Sequence, residues 1–282
     1  MDYFWTNTIW YVLLGILTLI ELIFVVVKAK NHRVLALYLT LMGIVLDFES
    51  IILIFLKGYS YYPKILQNPP LPFDDVLAGN IFSQTSVAAT ALMVAVLNLK
   101  YYWYIVLAGL YAIIEESFLA LGIYSQGWYK TWMTVALLPL LFQIAKILYA
   151  KNLKTIKPLF YYGYILLALF PLNIVIVTWG FMLLRLQEFS FTVLPDPIMS
   201  RHFLVLIHHS LISIPMMLIY FLRPKWTWKA LVILMLYIAY YIAFKANLIL
   251  IKEGWFLPVS TITFFWMYLS VLIMDKLYTN NM

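Results

Sequence analysis

Cysteine is absent from the 282 residues, which excludes disulfides, thiolate metal sites and cysteine nucleophiles. Charge is scarce. Asp, Glu, Lys and Arg make up 11% of the chain, where soluble domains carry about 25%. Of the ten glycines, Gly43, Gly109, Gly163 and Gly180 lie well inside apolar runs, and the glycine-interrupted helix pairs that mark many transporter sites are not evident. No glycine-rich phosphate loop occurs, which argues against ATP-driven work. No Lys or Arg precedes Lys28. The basic stretch of a cleavable signal peptide is therefore missing, and the first apolar run is expected to stay in the mature protein.

What remains is overwhelmingly apolar: 65% hydrophobic, 18% aromatic, with a mean hydropathy of +0.93. Soluble domains run near 45–50% apolar, so a soluble enzyme, a disordered chain and a nucleic-acid binder are excluded. The expected fold is all-α: a polytopic integral membrane protein forming a single transmembrane helical domain over residues 1–282, with the lipid bilayer as its first partner. About 20 apolar residues cross the hydrocarbon core. Nine such runs are present: Thr8–Val27, Val34–Leu56, Val76–Leu97, Tyr101–Tyr124, Thr131–Tyr149, Leu159–Leu184, His202–Leu222, Trp228–Ile251 and Trp255–Met274. Only Lys252, Glu253 and Gly254 divide the last two, so eight spans is the alternative.

The net charge of +7 sits between the apolar runs. Lys28, Lys30, Arg33, Lys100, Lys151, Lys154, Lys157, Arg223, Lys225 and Lys229 fall on one side if every span crosses. Lys57, Lys64, Lys130, Arg185, Arg201 and Lys252 fall on the other, several offset by Asp74, Asp75, Glu188, Asp196 and Glu253. The positive-inside rule then puts the N-terminus outside and the C-terminus, with Lys276, in the cytoplasm. Loops Gly58–Asp75 and Arg185–Arg201 carry Pro69, Pro70, Pro72, Pro195 and Pro197 and are expected to form shaped lids or caps. Pro139, Pro171 and Pro215 lie inside spans and invite kinks. Tyr101–Ile105 echoes Tyr161–Ile165, which an aromatic belt explains more simply than a duplication. The Ile-, Leu-, Tyr-, Lys- and Asn-rich usage points to an AT-rich bacterial source, and hence to the plasma membrane.

Ionisable groups within a span cost at least ~2.5 kcal/mol each, so each asks for a reason. They are Glu21, Asp47, Glu49, Glu115, Glu116, Lys146, His208, His209 and Lys245, joined by the uncharged Asn80, Gln84, Gln143, Asn173 and Asn247. With ~1.5 Å rise per residue, Glu49, Gln84, Glu115, Glu116, His208, His209 and Lys245 all fall roughly 8–14 Å below the outer surface, with Asn80 close by. Asn80 and Gln84, four apart, share a helix face. Asp47 and Glu49 are ~200° apart, so one site cannot easily use both. Two readings stay open. Either these groups line a polar cavity that binds a small polar or ionic solute or protons, or they lock helices together, with Lys245 paired to Glu115 or Glu116. Glu21 and Asp47 read as structural pairs.

Metal binding would draw on Glu115, Glu116, His208 and His209, but no H-E-x-x-H or H-x-x-E-H spacing anchors it. No cofactor is called for. A glutamate pair followed by later histidines resembles the membrane-embedded CAAX-type proteases over this one dipeptide. Ala120 stands where that family has Arg, and Leu204 and Val205 stand where it has Phe, so the resemblance does not assign the chain. Lys245 as a Schiff-base lysine is disfavoured against an ion pair. The leading expectation is a small secondary transporter. The alternatives are a membrane-embedded Glu/His metal enzyme acting on lipid or peptide, and a non-catalytic sensor or assembly subunit.

Overall fold

Nine helices long and apolar enough to cross a membrane occur among the residues that the computed structural model describes, 3–150 and 158–279. Lys151, Lys154 and Lys157, counted above among the basic loop residues, lie outside them. The helices are α1 (Phe4–Ala29), α2 (Arg33–Phe55), α3 (Pro72–Val96), α4 (Tyr101–Ala120), α5 (Thr131–Ala150), α6 (Leu159–Leu183), α7 (Pro197–Leu222), α8 (Trp226–Lys245) and α9 (Phe256–Thr279). The chain is thus a multi-pass membrane protein by the length and composition of its helices.

Local chemistry sets the ends. Helices α3 and α7 each open on a proline, whose missing N–H is not needed in the first turn and whose φ is already helical. Asp196 caps α7, accepting from the Met199 N–H at 2.9 Å. Asp74 reaches back to the Leu71 N–H at 3.1 Å, and the Asp74 N–H donates to the Leu71 carbonyl at 2.9 Å. Both helices therefore begin several residues before the apolar runs do, and Asp74 and Arg201 belong to first turns rather than to loops.

The structure is predominantly helical, as expected, and two short ladders join the helices. Strand β1 (Tyr59–Tyr61) pairs antiparallel with β2 (Tyr124–Gln126), and β3 (Gln187–Phe189) with β4 (Ile249–Ile251). Spans four and eight accordingly stop at Ala120 and Lys245, short of the expected Tyr124 and Ile251, because the residues beyond them turn through a left-handed position (Gly122, φ 70°; Asn247, φ 55°) into a ladder.

These ladders expose an internal duplication. After α1, one order of elements occurs twice: α2–β1–α3–α4–β2–α5 and α6–β3–α7–α8–β4–α9. Helices α3 and α7, α4 and α8, and α5 and α9 all start 125 residues apart. The hairpins share register and flanking bonds. Gly127 N–H donates to Gly58 O and Tyr62 N–H to Ile123 O in one; Lys252 N–H donates to Leu186 O and Ser190 N–H to Leu248 O in the other. Lys57 and Arg185 hold the same left-handed turn (φ 50° and 55°), as do Asn98 and Arg223 (φ 50° and 46°). Four helices per repeat give the two repeats the same direction in the chain. The Tyr101–Ile105 echo of Tyr161–Ile165 belongs to no such pairing, because α4 matches α8 and not α6.

The repeats meet where α2 crosses α6. A Cβ on Gly43 would lie 1.9 Å from the Leu167 carbonyl oxygen, so only glycine allows this approach. Matching spans α2 and α6 also both contain π-helical turns, at Ser50–Phe55 and Pro171–Thr178. In α2 the Leu56 N–H reaches the Ile51 carbonyl at 2.9 Å. Such turns frequently mark functional sites.

Candidate functional site

A cavity of about 300 Å³ lies in the first repeat, under the β1–β2 hairpin and between α2, α3, α4 and α5. That is near the lower bound of small-molecule sites, roughly 300–1,000 Å³. Its ends differ. At the hairpin end stand Glu49, Ser83, Gln84, Glu115 and Thr134 with Tyr59, Tyr61, Tyr124 and Tyr129; the other end is aliphatic, from Ile44 and Val45 to Leu137, Leu141 and Ile144.

Glu49 is the last α-helical residue before the π turn of α2. It is 9% exposed, and its Oε2 atom is buried with no hydrogen-bond partner among the described residues. Glu115 is satisfied: Gln126 donates to it at 2.8 Å, Thr134 at 2.8 Å and Tyr124 at 3.2 Å. Gln84 is buried one turn from Asn80, to which its amide donates at 3.3 Å. The tyrosines form a continuous ring set. Tyr59 lies 5.5, 5.5 and 5.3 Å from Tyr61, Tyr124 and Tyr129, and Tyr61 lies 5.2 Å from Tyr124, between centroids. Burial raises the Tyr61 and Tyr124 phenols well above their usual range and pushes Tyr129 up to about 12, with the nearby Glu49 and Glu115 charges adding to the effect. All three hydroxyls are therefore neutral at physiological pH. Gly127 closes the hairpin base over this end: a Cβ there would stand 2.9 Å from the Gly58 carbonyl oxygen.

The expected single polar level resolves into separate places. Glu49, Gln84 and Glu115 line the cavity together. Asn80 lines a second pocket of about 60 Å³ with Ser50, Trp179 and His202, room for about two water-sized groups. His208 is buried between Phe189 and Tyr240, 5.3 Å from each ring, and His209 packs 5.7 Å from Phe170. Glu116 is exposed and accepts from Thr131 at 2.5 Å. Lys245 is exposed, 5.5 Å over Tyr241 and 5.9 Å over Phe244. The expected pairing of Lys245 with Glu115 or Glu116 is therefore not formed. Nor do the metal candidates Glu115, Glu116, His208 and His209 converge. Among the described residues, no three His, Asp or Glu side chains are grouped to hold an ion. Glu21 meets Thr90 at 2.9 Å, in a hydroxyl chain with Tyr111. Asp47 does not line the cavity.

The duplication explains the shared depth. In hairpin register, Ser83, Gln84 and Glu115 correspond to His208, His209 and Tyr240, and Tyr59 and Tyr61 to Gln187 and Phe189. The second set packs ring on ring, with Tyr240 donating to Gln187 at 2.8 Å. One framework position thus carries carboxylates around a cavity in one repeat and stacked aromatic rings in the other.

Sequence reasoning missed the tyrosine ring, Ser83 and Thr134. It also missed a buried ion cluster above the repeat junction. Arg201, with no exposed surface, donates to Asp74 at 2.8 Å and to Glu188 at 2.9 Å and contacts the Met182 sulfur at 3.2 Å. Burial raises the Glu188 carboxyl, against the pull of Arg201. Lys57 adds a tie to Asp196 at 2.5 Å, and this hydrogen bond holds the Asp196 carboxyl below its usual range.

Comparison with family models, with curated proteins and with solved structures finds no match to this chain.

Proposed function

We propose that the protein is a small secondary transporter that binds a small solute in the Glu49–Gln84–Glu115 cavity. The observation that carries this reading is the Glu49 carboxylate, buried beside a cavity with an oxygen that no described residue satisfies. A buried carboxylate oxygen left without a partner is costly, and a ligand that pairs with it relieves that cost. Carriage, rather than static binding, is supported by two repeats of one direction whose matching spans α2 and α6 are both interrupted. Interruptions in the matching helices of two halves point to a transporter site, and here the two π stretches meet in register at Ser50 and Thr178. Lys28, Lys30, Arg33, Lys100, Arg223 and Lys225 gather at the end opposite the hairpins, while two cations of the hairpin end are paired with carboxylates. That charge asymmetry supports an outside N-terminus and a cytoplasmic C-terminus.

The test is a solute panel run on purified protein by thermal unfolding, then by flux into proteoliposomes, from pH 5 to 8. A true ligand stabilises the wild type by about 2.7 kcal/mol at 100 times its Kd and leaves the Glu49→Gln/Glu115→Gln variant unmoved. No stabilising solute anywhere in the panel overturns the binding reading. Binding without flux overturns carriage and makes the protein a receptor.

A further inference from the structure

We infer that the ligand of this cavity is an amphiphilic organic cation that enters sideways from the lipid, ammonium head toward the tyrosines and tail toward α5. The inference rests on the cavity being a binding site.

Three features fix the head. Two carboxylates, Glu49 and Glu115, line the cavity, and no Lys, Arg or His is among the lining residues. Four tyrosine rings pack against one another, T-shaped or tilted, at the same end, and aromatic faces attract alkylated ammonium groups through the ring quadrupole. Glu49 Oε2 has no partner among the described residues. An anion would be repelled here, and a neutral headgroup would leave the carboxylate charge uncompensated. An inorganic cation would have no use for the rings or for the aliphatic half.

That aliphatic half fixes the tail and the route. Tyr59, Tyr61, Tyr124 and Tyr129 are all buried, so the hairpin seals the polar end. On the side facing away from the hairpin's core, lining residues Phe48 (beside Glu49) and, deeper, Leu140 and Ile144 are 41%, 59% and 42% exposed. They lie within the apolar spans α2 and α5, so the cavity reaches the lateral surface between those helices. A ligand using this opening must partition into the hydrocarbon first, which selects an amphiphile over a hydrophilic solute. The shared chemistry is an alkylated ammonium on an apolar chain. It could come from a free lipophilic amine or from a choline-headed lipid.

The experiment measures binding of tritiated decyltrimethylammonium, below its micellar concentration, to the full chain in maltoside detergent. We expect saturable binding near one per chain, weakened at least tenfold by Glu49→Gln and by Tyr59→Leu. Decyl sulfate and decanol should not compete. Leu140→Trp, at an exposed position that folding does not depend on, should narrow the opening and slow association at least several-fold, which carries the test where a cavity variant fails to fold. Equal competition by decanol or decyl sulfate overturns the proposal, as does unchanged affinity in Glu49→Gln together with an unchanged association rate in Leu140→Trp. Competition by decylphosphocholine supports a lipid source; its failure to compete supports a free amine. If decyltrimethylammonium does not bind but a hydrophilic solute stabilises the wild type and not the double glutamine variant, the ligand class is wrong and the site stands. If neither acts, both fall.

Discussion

Arg201 has no exposed surface, and its Nη1 atom finds no partner among the described residues while Nη2 and Nε hold Asp74 and Glu188. Removing such a cation strands two carboxylates in a poorly solvated site, which typically costs about 3–5 kcal/mol. Arg201→Met should therefore lower the unfolding midpoint sharply in a thermal melt, and adding Asp74→Asn should recover part of the loss. Additive losses would mean that the two residues do not act as a pair. None of this cluster was legible beforehand. Hydropathy stops a span at its first charge, so Asp74, Glu188 and Arg201 read as loop residues. The overlooked signal was the proline opening each helix, Pro72 and Pro197, with Asp74 and Arg201 one turn further in. Glu49, Gln84 and Glu115 were legible, because each is a polar group inside an apolar run. Tyr59, Tyr61, Tyr124 and Tyr129 were not, since an aromatic residue near an interface is ordinary and only the ladder turns these four into a ring set.

The nine helices were readable because a membrane span must be a long apolar run whatever its neighbours. Their pairing was not, because lipid-facing sequence is interchangeable and hides a repeat. Lys100 and Lys225, or Trp103 and Trp228, share helix positions, but such matches drown in a chain so rich in Leu, Ile, Tyr and Phe. Backbone features carry the repeat instead: prolines at helix starts, left-handed turns at helix ends, hairpin register. The α2–α6 crossing depends on Gly43. Gly43→Ala should cost about 1–3 kcal/mol through overpacking against Leu167. Gly109→Ala, where a Cβ would meet nothing within 4 Å, should be neutral or stabilising by up to about 1 kcal/mol. Equal melting points for the two variants would show that the crossing is looser than drawn.

For the molecule as a whole, the question is which solvent the cavity faces. The sequence suggested a polar layer in the outer half of the membrane, near the outer surface. The structure closes that end with a hairpin and opens the other laterally, so water and lipid should reach different parts of the protein. The absence of cysteine makes this measurable with single substitutions. Gln67, exposed in the loop before α3, and Asn98, exposed at the turn after it, report the two ends; Ser83 reports the cavity. On intact cells, a membrane-impermeant maleimide should label Gln67→Cys and leave Asn98→Cys untouched until lysis, as an outside N-terminus requires. Ser83→Cys should resist that reagent and yet react with a lipid-soluble maleimide, because the only described route to it runs between α2 and α5. Rapid labelling of Ser83→Cys from water would show that the hairpin opens, and lateral entry would lose its basis. Adding Leu140→Trp separates the routes further: it should slow the lipid-soluble reagent at Ser83→Cys and leave Gln67→Cys unaffected, since only the lateral opening has been narrowed.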